Sequence, residues 1–592
     1  MTFILLDNTR DKEEGAWLFE NPYDIISATS PDDVTPALKK LENTSKNGIF
    51  CAGFCSFELA YVLEPCLAQR LPHDRTVPLL WFGLFKTRKK LSYAQATDFL
   101  KNKQHSDVQV SELRPQWNAA QYKKRFDAAR SYIIAGDIYQ INLTFKTQFE
   151  CMGDPIALYL QLREQQPVSF GAYIDVPEFK VLSLSPELFI RQKGQQVETR
   201  PMKGTAPRAY LPDDDKAIAG SLATDSKSRA ENLMIVDLMR NDIGRIAEQG
   251  SVKVADLFAV ETYKTLHQMI STVQATLKPE TTLTEFFKAI YAPGSVVGAP
   301  KIHAMELIHE LEDAPRGIYC GAIGMLGPES EKVFNVAIRT AVLFPDKEKT
   351  YKGEMGVGSG IVYDSRAQSE YDECLLKTKF FTATHAPFGL IETLRCDKND
   401  GFYLFDRHLD RLIASAQYFA ISCDRAALHI ALLDHVVGQK AEHLRVRLEL
   451  SADAAIQISS APLEAMALQQ TLTFTIAPKP IHSANVHLYH KTTQREFLDT
   501  PRQQSGVDEV VFLNERGELT QGSYTNIFLE QADGSYLTPP ISAGLLAGTF
   551  RAEFMETHRV IEKTLYPHDL TTAEQIYLGN SVRGLLKAVL KA

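Results

Sequence analysis

Apolar and polar residues alternate along KVLSLSPELFIRQ (Lys180 to Gln192), the period of a strand with one buried face. In ENLMIVDLMRNDIGRIA (Glu231 to Ala247) the period changes. Leu233, Val236, Met239 or Arg240, Ile243 and Ile246 recur at helical spacing, with Asp237, Asn241 and Asp242 off that stripe. SEYDECLLKTKFF (Ser369 to Phe381) also reads as a helix, and Ser369 with Asp372 fits an N-terminal capping box. Further along, FGLIETLRC (Phe388 to Cys396) predicts a strand and DRHLDRLIASAQYF (Asp406 to Phe419) a helix. Strands follow at DEVVFLNE (Asp508 to Glu515) and TNIFLE (Thr525 to Glu530), then a glycine-punctuated turn at AGLLAGTFR (Ala543 to Arg551). The breaker TATHAPFG lies between the two stretches. The pattern therefore predicts two blocks, residues 1–381 and 390–592, joined by a linker at 382–389, each mixing strands and helices. The acidic run Pro212 to Lys216 reads as a solvated loop.

Composition narrows the function classes. A chain of 592 residues is too long for one core. Its net charge of -9 offers no basic face for phosphates, which excludes a nucleic-acid partner. No apolar run approaches the roughly 20 residues that span a bilayer, so no membrane partner is expected. MTFILLDNTRDKEEG lacks the basic start of a secretory signal, and the expected location is cytoplasmic. The eight cysteines are scattered, and Cys51, Cys55 and Cys66 match no zinc spacing, so reduced core thiols are expected.

Some residues carry candidate chemistry by themselves. Lys203, in TRPMKGTAPR, sits beside Gly204 between Pro201 and Pro207, in a constrained loop. Desolvated there, its amine would lose its proton near neutrality and become a nucleophile. Glu231 opens one predicted helix, and Glu370 and Glu373 share a face of another at i, i+3. Magnesium takes hard oxygens, usually one or two carboxylates with waters and substrate oxygens. Glutamates at helix starts also arise for dipole reasons, so the spacing alone does not assign a metal. Gly356, Gly358 and Gly360 lack the GxGxxG spacing of a dinucleotide site and read as backbone amides for a substrate carboxylate.

SPELF, PMKGTAPR, AENLMIVDLMRNDIGRI, GAPKIHAMELI, YCGAIG, FNVAIRT and GSGIVYDS, in that order, resemble the chorismate-binding enzymes. Lysine within PMKGT is the pattern of the aminodeoxychorismate synthases, where anthranilate synthases typically carry alanine. The resemblance implies that Glu187 is a general acid and Lys203 a nucleophile. Glu231 and Glu373 would be direct magnesium ligands, with Glu370 acting through water. Arg339, Tyr319, His267, Gly358 and Gly360 would contact substrate. Gln140 stands where isochorismate and salicylate synthases carry a water-activating lysine. An amide cannot serve as that base, so ammonia is the expected nucleophile. Ser228 and Val297 depart from the residues usual at their positions.

In the second block, HLDRL, HKTTQREFLD, GELTQGSYTNIF and PPISAGLLAGTFR resemble the fold-type IV pyridoxal-phosphate enzymes, aminodeoxychorismate lyases most of all. By that resemblance Lys491 bonds the cofactor and shuttles protons. Arg411, the backbone at Gly548, Thr549 and Phe550, and Ser581 hold its phosphate. Gln521 replaces a glutamate that contacts the pyridine nitrogen, and it supplies no charge there.

The resemblances together imply an α+β chain of two domains. The first is a chorismate-binding β-sandwich flanked by helices; the second is a fold-type IV domain of two α/β subdomains. The implied function is bifunctional: amination of chorismate, then loss of pyruvate to give 4-aminobenzoate, the folate precursor. Ammonia would come from a separate glutaminase subunit, and a homodimer would form through the second block. The alternatives are a catalytically inactive second domain, or an anthranilate synthase component I fused to a transaminase.

Overall fold

The computed structural model describes residues 2–382, 388–464 and 470–591. Most of the predicted linker, residues 383–387, lies outside the described residues. The chain forms two compact units. The first takes the residues up to Pro207 and resumes at Ile218. The second takes Arg208–Ala217 together with the C-terminal block.

Two antiparallel sheets of eleven and ten strands build the first unit and share two cores, one with Leu143, Leu184, Phe189, Ile190 and Val336, the other with Ile4, Ala52, Phe54 and Ile174. In the larger sheet Gln140–Gly153 pairs along its length with Thr350–Ile361, setting Ile141 opposite Ile361. In the smaller one Met202–Pro207 is an edge strand on Leu266–Thr276. The helix Ser226–Gly244 lies against that edge, started by Asp225, whose carboxylate accepts the Ser228 N–H at 2.7 Å.

Four local expectations are corrected. Glu231 lies in the second turn of its helix, because Asp225 caps it earlier. The buried stripe of that helix is Asn232, Ile235, Val236, Met239, Asp242 and Ile243, while Leu233 is exposed. Two polar residues enter the stripe because each has a buried partner, Asp242 on the Lys301 amine and Asn232 on the Ser271 hydroxyl. The Ser369–Asp372 capping box does not form. A turn closed by Ser365 on Val362 starts the helix at Ala367, leaving Ser369 inside it and Asp372 bonded to Gln368. Pro212 to Lys216 is the start of a helix, Pro212–Thr224, and Asp215 is buried on Arg208.

The second unit has two sheets with separate cores. A four-stranded antiparallel sheet, Leu390–Asp397 and His443–Leu450 at its centre, packs on the helix Phe405–Tyr418. An eight-stranded sheet includes parallel pairs, Leu472–Ile476 lying between Glu509–Leu513 and Gly584–Leu590. Arg208 stacks on the Tyr418 ring and Tyr210 on Tyr489, which holds the 208–217 segment to this unit. All eight cysteines are free and six are buried; Cys66 is exposed. Among the described residues no helix is long and apolar enough to cross a membrane.

Candidate active sites

Lys203 occupies the edge strand at an irregularity. Met202 pairs with Ile270 and Thr205 with Gln268, so Lys203 and Gly204 together oppose Met269 alone. That is a β-bulge, and Gly204 supplies the left-handed φ of 94° it needs. The side chain crosses toward the larger sheet. A Cβ on Gly360 would collide with the Lys203 Nζ and come within 3.2 Å of the Gln140 amide nitrogen. Burial lowers the pKa of the Lys203 amine; Lys377 adds to this and Glu231, Glu373 and Glu370 oppose it. Glu187, buried just before the strand Leu188–Lys193, is pushed up to about 7 by burial, against the pull of Ser295, Met202 and Lys203. The Gln140 amide is fully buried with neither end bonded, which leaves both a donor and an acceptor for a ligand.

The three glutamates surround this amine without forming a cage. Among the described residues no group of three or more His, Cys, Asp or Glu side chains is gathered to hold a metal. Glu373 is paired with Lys377 at 2.7 Å, which holds its carboxyl below its usual range despite burial. Glu231 is 4.0 Å from Lys227. The donor set fits magnesium in kind, hard carboxylate oxygens from two helices, with substrate oxygens left to complete the shell. A bound cation would displace the two ammonium partners.

Other predicted contacts are placed less closely. Arg339, at a left-handed φ of 51°, has one guanidinium nitrogen buried and unbonded; burial lowers its pKa and Tyr263 partly restores it. The Tyr319 ring covers Gly356. His267 is buried and bonded to the Thr262 hydroxyl at 3.0 Å, so its local role is satisfied. The Gly358 carbonyl accepts from Lys377 at 2.9 Å. A cavity of about 680 Å³, lined by Trp17, Arg88, Phe170, Arg191 and Met325 among others, contains none of these residues.

In the second unit the Lys491 carbonyl accepts the Ile391 N–H at 2.8 Å, tying the lysine to the small sheet. Burial, Arg495 and Arg411 bring its amine down to about 7, with Arg447 adding and Glu392 opposing. Arg411 is clamped on Glu392 at 2.6 and 2.9 Å and donates to the Ala547 carbonyl at 3.1 Å. Gly548 caps the helix Thr549–Thr557, and a Cβ there would strike the Asn526 side chain. A helix start with free N–H groups, a pinned arginine and a backbone with no room for a side chain form a cradle that fits a phosphate. Phe550 packs under Gly579, near where Ser581 is buried at the end of Gln575–Asn580. Lys491, Arg411 and the Gly548 turn thus supply what pyridoxal phosphate requires.

Two residues here escaped the sequence reading. Burial alone would raise the Glu392 carboxyl, but Arg411 and His408 outweigh it and bring it to about 2. It orients both partners, and His408 reaches Thr549 at 3.2 Å. Glu509, also buried, accepts from Ser523, Tyr524 and Thr525, fixing the turn after Gln521. Both lie in apolar strand patterns, where a lone glutamate gives no signal until its partners are known. Gln521 itself is buried, and its carbonyl oxygen accepts the Leu546 N–H at 3.0 Å.

The family described as chorismate binding enzyme matches residues 1–383, and amino-transferase class IV matches residues 389–589. Aminodeoxychorismate synthase component 1 of Escherichia coli (strain K12) is 39% identical over 281 residues, 46% of this chain and 60% of that protein. The protein of the same name from Bacillus subtilis (strain 168) is 31% identical over 355 residues, 55% of this chain and 74% of the relative. The chain thus spans little more than half the length of the Escherichia coli relative. Among solved structures, anthranilate synthase component I from Streptococcus pneumoniae TIGR4 superposes with a TM-score of 0.52 at 26% identity, covering 65% of this chain and 92% of its own.

Proposed function

The chain belongs to the chorismate-binding enzymes and carries a class IV aminotransferase domain after that module; from this premise we propose that it makes 4-aminobenzoate from chorismate and ammonia in two steps. The observation that carries the first step is the Lys203 amine, lowered in pKa by burial and set between Gly360, Gln140 and a Glu187 protonated near neutrality.

The Lys203 nitrogen adds to C2 of chorismate, the ring double bonds shift, and the C4 hydroxyl departs with the Glu187 proton as water. Ammonia then adds at C4, the double bonds shift back, and the C2–nitrogen bond breaks to free Lys203. Glu187 takes the proton that ammonia loses. Glu231 and Glu373 would hold magnesium against the substrate carboxylate, with Glu370 acting through water. Gln140 cannot remove a proton from water, which favours ammonia over hydration.

In the second unit, Lys491, Arg411, the Gly548–Phe550 turn and Ser581 would hold pyridoxal phosphate, which supplies an electron sink when bound. Lys491, neutral above a pH of about 7, takes the proton from the substrate's C4. The C3–oxygen bond then breaks, the departing enolpyruvate takes that proton from Lys491 to become pyruvate, and the ring is left aromatic. Ammonia would come from a separate glutaminase subunit, the reaction would run in the cytoplasm, and the second unit would pair with its copy in a homodimer.

The test is mass spectrometry of products from chorismate, magnesium and ammonium, with and without pyridoxal phosphate. Cofactor-dependent 4-aminobenzoate and pyruvate support both halves. Aminodeoxychorismate accumulating in either case marks the second unit as inactive, and anthranilate overturns the role given to Lys203.

A further inference from the structure

The bulge that carries Lys203 presents two carbonyls, of Lys203 and Gly204, that accept from side chains. The Asn232 amide nitrogen donates to the Lys203 carbonyl at 3.3 Å. The Gln268 amide nitrogen donates to the Gly204 carbonyl at 2.7 Å. Each amide is itself oriented. The Asn232 oxygen accepts the Ser271 hydroxyl at 2.5 Å, and that hydroxyl in turn accepts the Phe258 N–H at 3.1 Å. The Gln268 oxygen accepts the Thr205 hydroxyl at 3.2 Å. Because a backbone carbonyl can only accept, each amide must present its nitrogen to the bulge.

Asn232 is wholly buried and follows Glu231 in the chain. Ser228, one turn earlier, sits where a Cβ on Gly204 would meet its side chain at 2.9 Å. One helix therefore holds the bulge from behind while presenting a carboxylate to the Lys203 amine. A bulge re-aims its side chain by local distortion, and these two amide bonds brace that distortion. A one-residue slip would turn Lys203 to the other face of the sheet.

We infer that Asn232 and Gln268 are positioning residues for the amination step, locking the bulge so that the Lys203 amine stays in register with Glu231 and Gly360. The inference rests on the nucleophile role proposed for Lys203.

The test compares Asn232→Leu and Gln268→Glu with the unaltered full chain. Three quantities are read: kcat and KM for aminodeoxychorismate formation, the pH midpoint of Lys203 acylation by acetic anhydride measured by peptide mass spectrometry, and cofactor-dependent turnover of supplied aminodeoxychorismate. Each variant is expected to lose about tenfold or more in kcat. KM for chorismate should stay within about threefold. The acylation midpoint of Lys203 should move up toward an ordinary lysine, and the second unit should be unaffected. Gln268→Asn, which keeps the donor on a shorter arm, should recover part of the loss. Unchanged kcat with an unchanged Lys203 midpoint overturns the inference, as does a loss confined to KM. If Asn232→Leu fails to fold, Gln268→Glu, at a half-buried position of Leu266–Thr276, and its Asn counterpart decide alone. The acylation readout does not need chorismate turnover, so failure of the proposed function and failure of the bulge lock give different results.

Discussion

Lys203 and Lys491 are both lysines whose charged form is disfavoured by burial, yet the groups around them carry opposite signs. Glu231, Glu373 and Glu370 act on Lys203, with Lys377 opposing them. Arg495, Arg411 and Arg447 act on Lys491, with Glu392 opposing them. Burial disfavours the charged amine in both places, so neither surrounding is needed for that purpose. The glutamates in fact raise the pKa of Lys203 and work against its reactivity. Their presence is explained by a cation to be held beside the substrate. The arginines lower the pKa of Lys491 and also suit a phosphate. The charge around each lysine thus reports the companion of the reaction, and burial reports the nucleophile.

The sharpest way to break this comparison is to remove one lysine at a time. Lys203→Ala should lower aminodeoxychorismate formation by about 10³-fold or more, while supplied aminodeoxychorismate is still converted to 4-aminobenzoate. Lys491→Ala should do the reverse, accumulating aminodeoxychorismate and losing the visible absorbance of the bound cofactor. Product analysis by mass spectrometry reads both. A variant that silences both steps would contradict the assignment of one lysine to each.

Glu187 gives the next largest effect. As an acid it must carry its proton, and with a pKa of about 7 that form is lost as pH rises through neutrality. Lys203 must be neutral, a form gained as pH rises. The rate of the first step should therefore be bell-shaped, its alkaline limb set by Glu187 and its acid limb by Lys203. Glu187→Gln should lower kcat by about 10²- to 10⁴-fold and abolish the alkaline limb. A limb that survives in the variant belongs to another group.

Glu231→Gln and Glu373→Gln should each raise the magnesium needed for half-maximal rate, by about 10- to 100-fold. Each also removes a charge that holds a proton on Lys203, so the acid limb should move to lower pH. A magnesium titration at several pH values separates the two effects. The second unit, which has no such glutamates, should not respond.

These features were unequally legible. The lysines, Glu187 and the glutamates lie in ordered motifs whose residue types announce their chemistry. The helix over 231–247 was readable by period, but its buried stripe was not. Asn232 and Asp242 look like surface residues until Ser271 and Lys301, distant in sequence, are brought beside them. The bulge at Lys203 was hidden for the same reason, since it exists only in the pairing of two strands. The acidic run at 212–216 read as solvated because like charges usually are, and Arg208 overrides that for Asp215. Local pattern gives elements and reactive types; polar partners across the fold set which face is buried.

The smallest expected effect concerns Gln521, a neutral amide where related enzymes carry a charge. By resemblance Gln521 lies against the cofactor's ring nitrogen, and its oxygen is already committed to the Leu546 N–H. The nitrogen end is therefore the end that remains, a donor, and a donor pairs with an unprotonated ring nitrogen. Gln521→Glu keeps an oxygen for Leu546 and places a negative charge on the other arm. That charge should favour a protonated ring nitrogen and shift the visible absorbance of the loaded protein. It should also raise the pKa of Lys491, moving the midpoint of cofactor loading above a pH of about 7. The rate of pyruvate loss should change only a few-fold, because the aromatic product drives the step and leaves little for a stronger electron sink to add. An absorbance that does not move would separate Gln521 from the ring nitrogen.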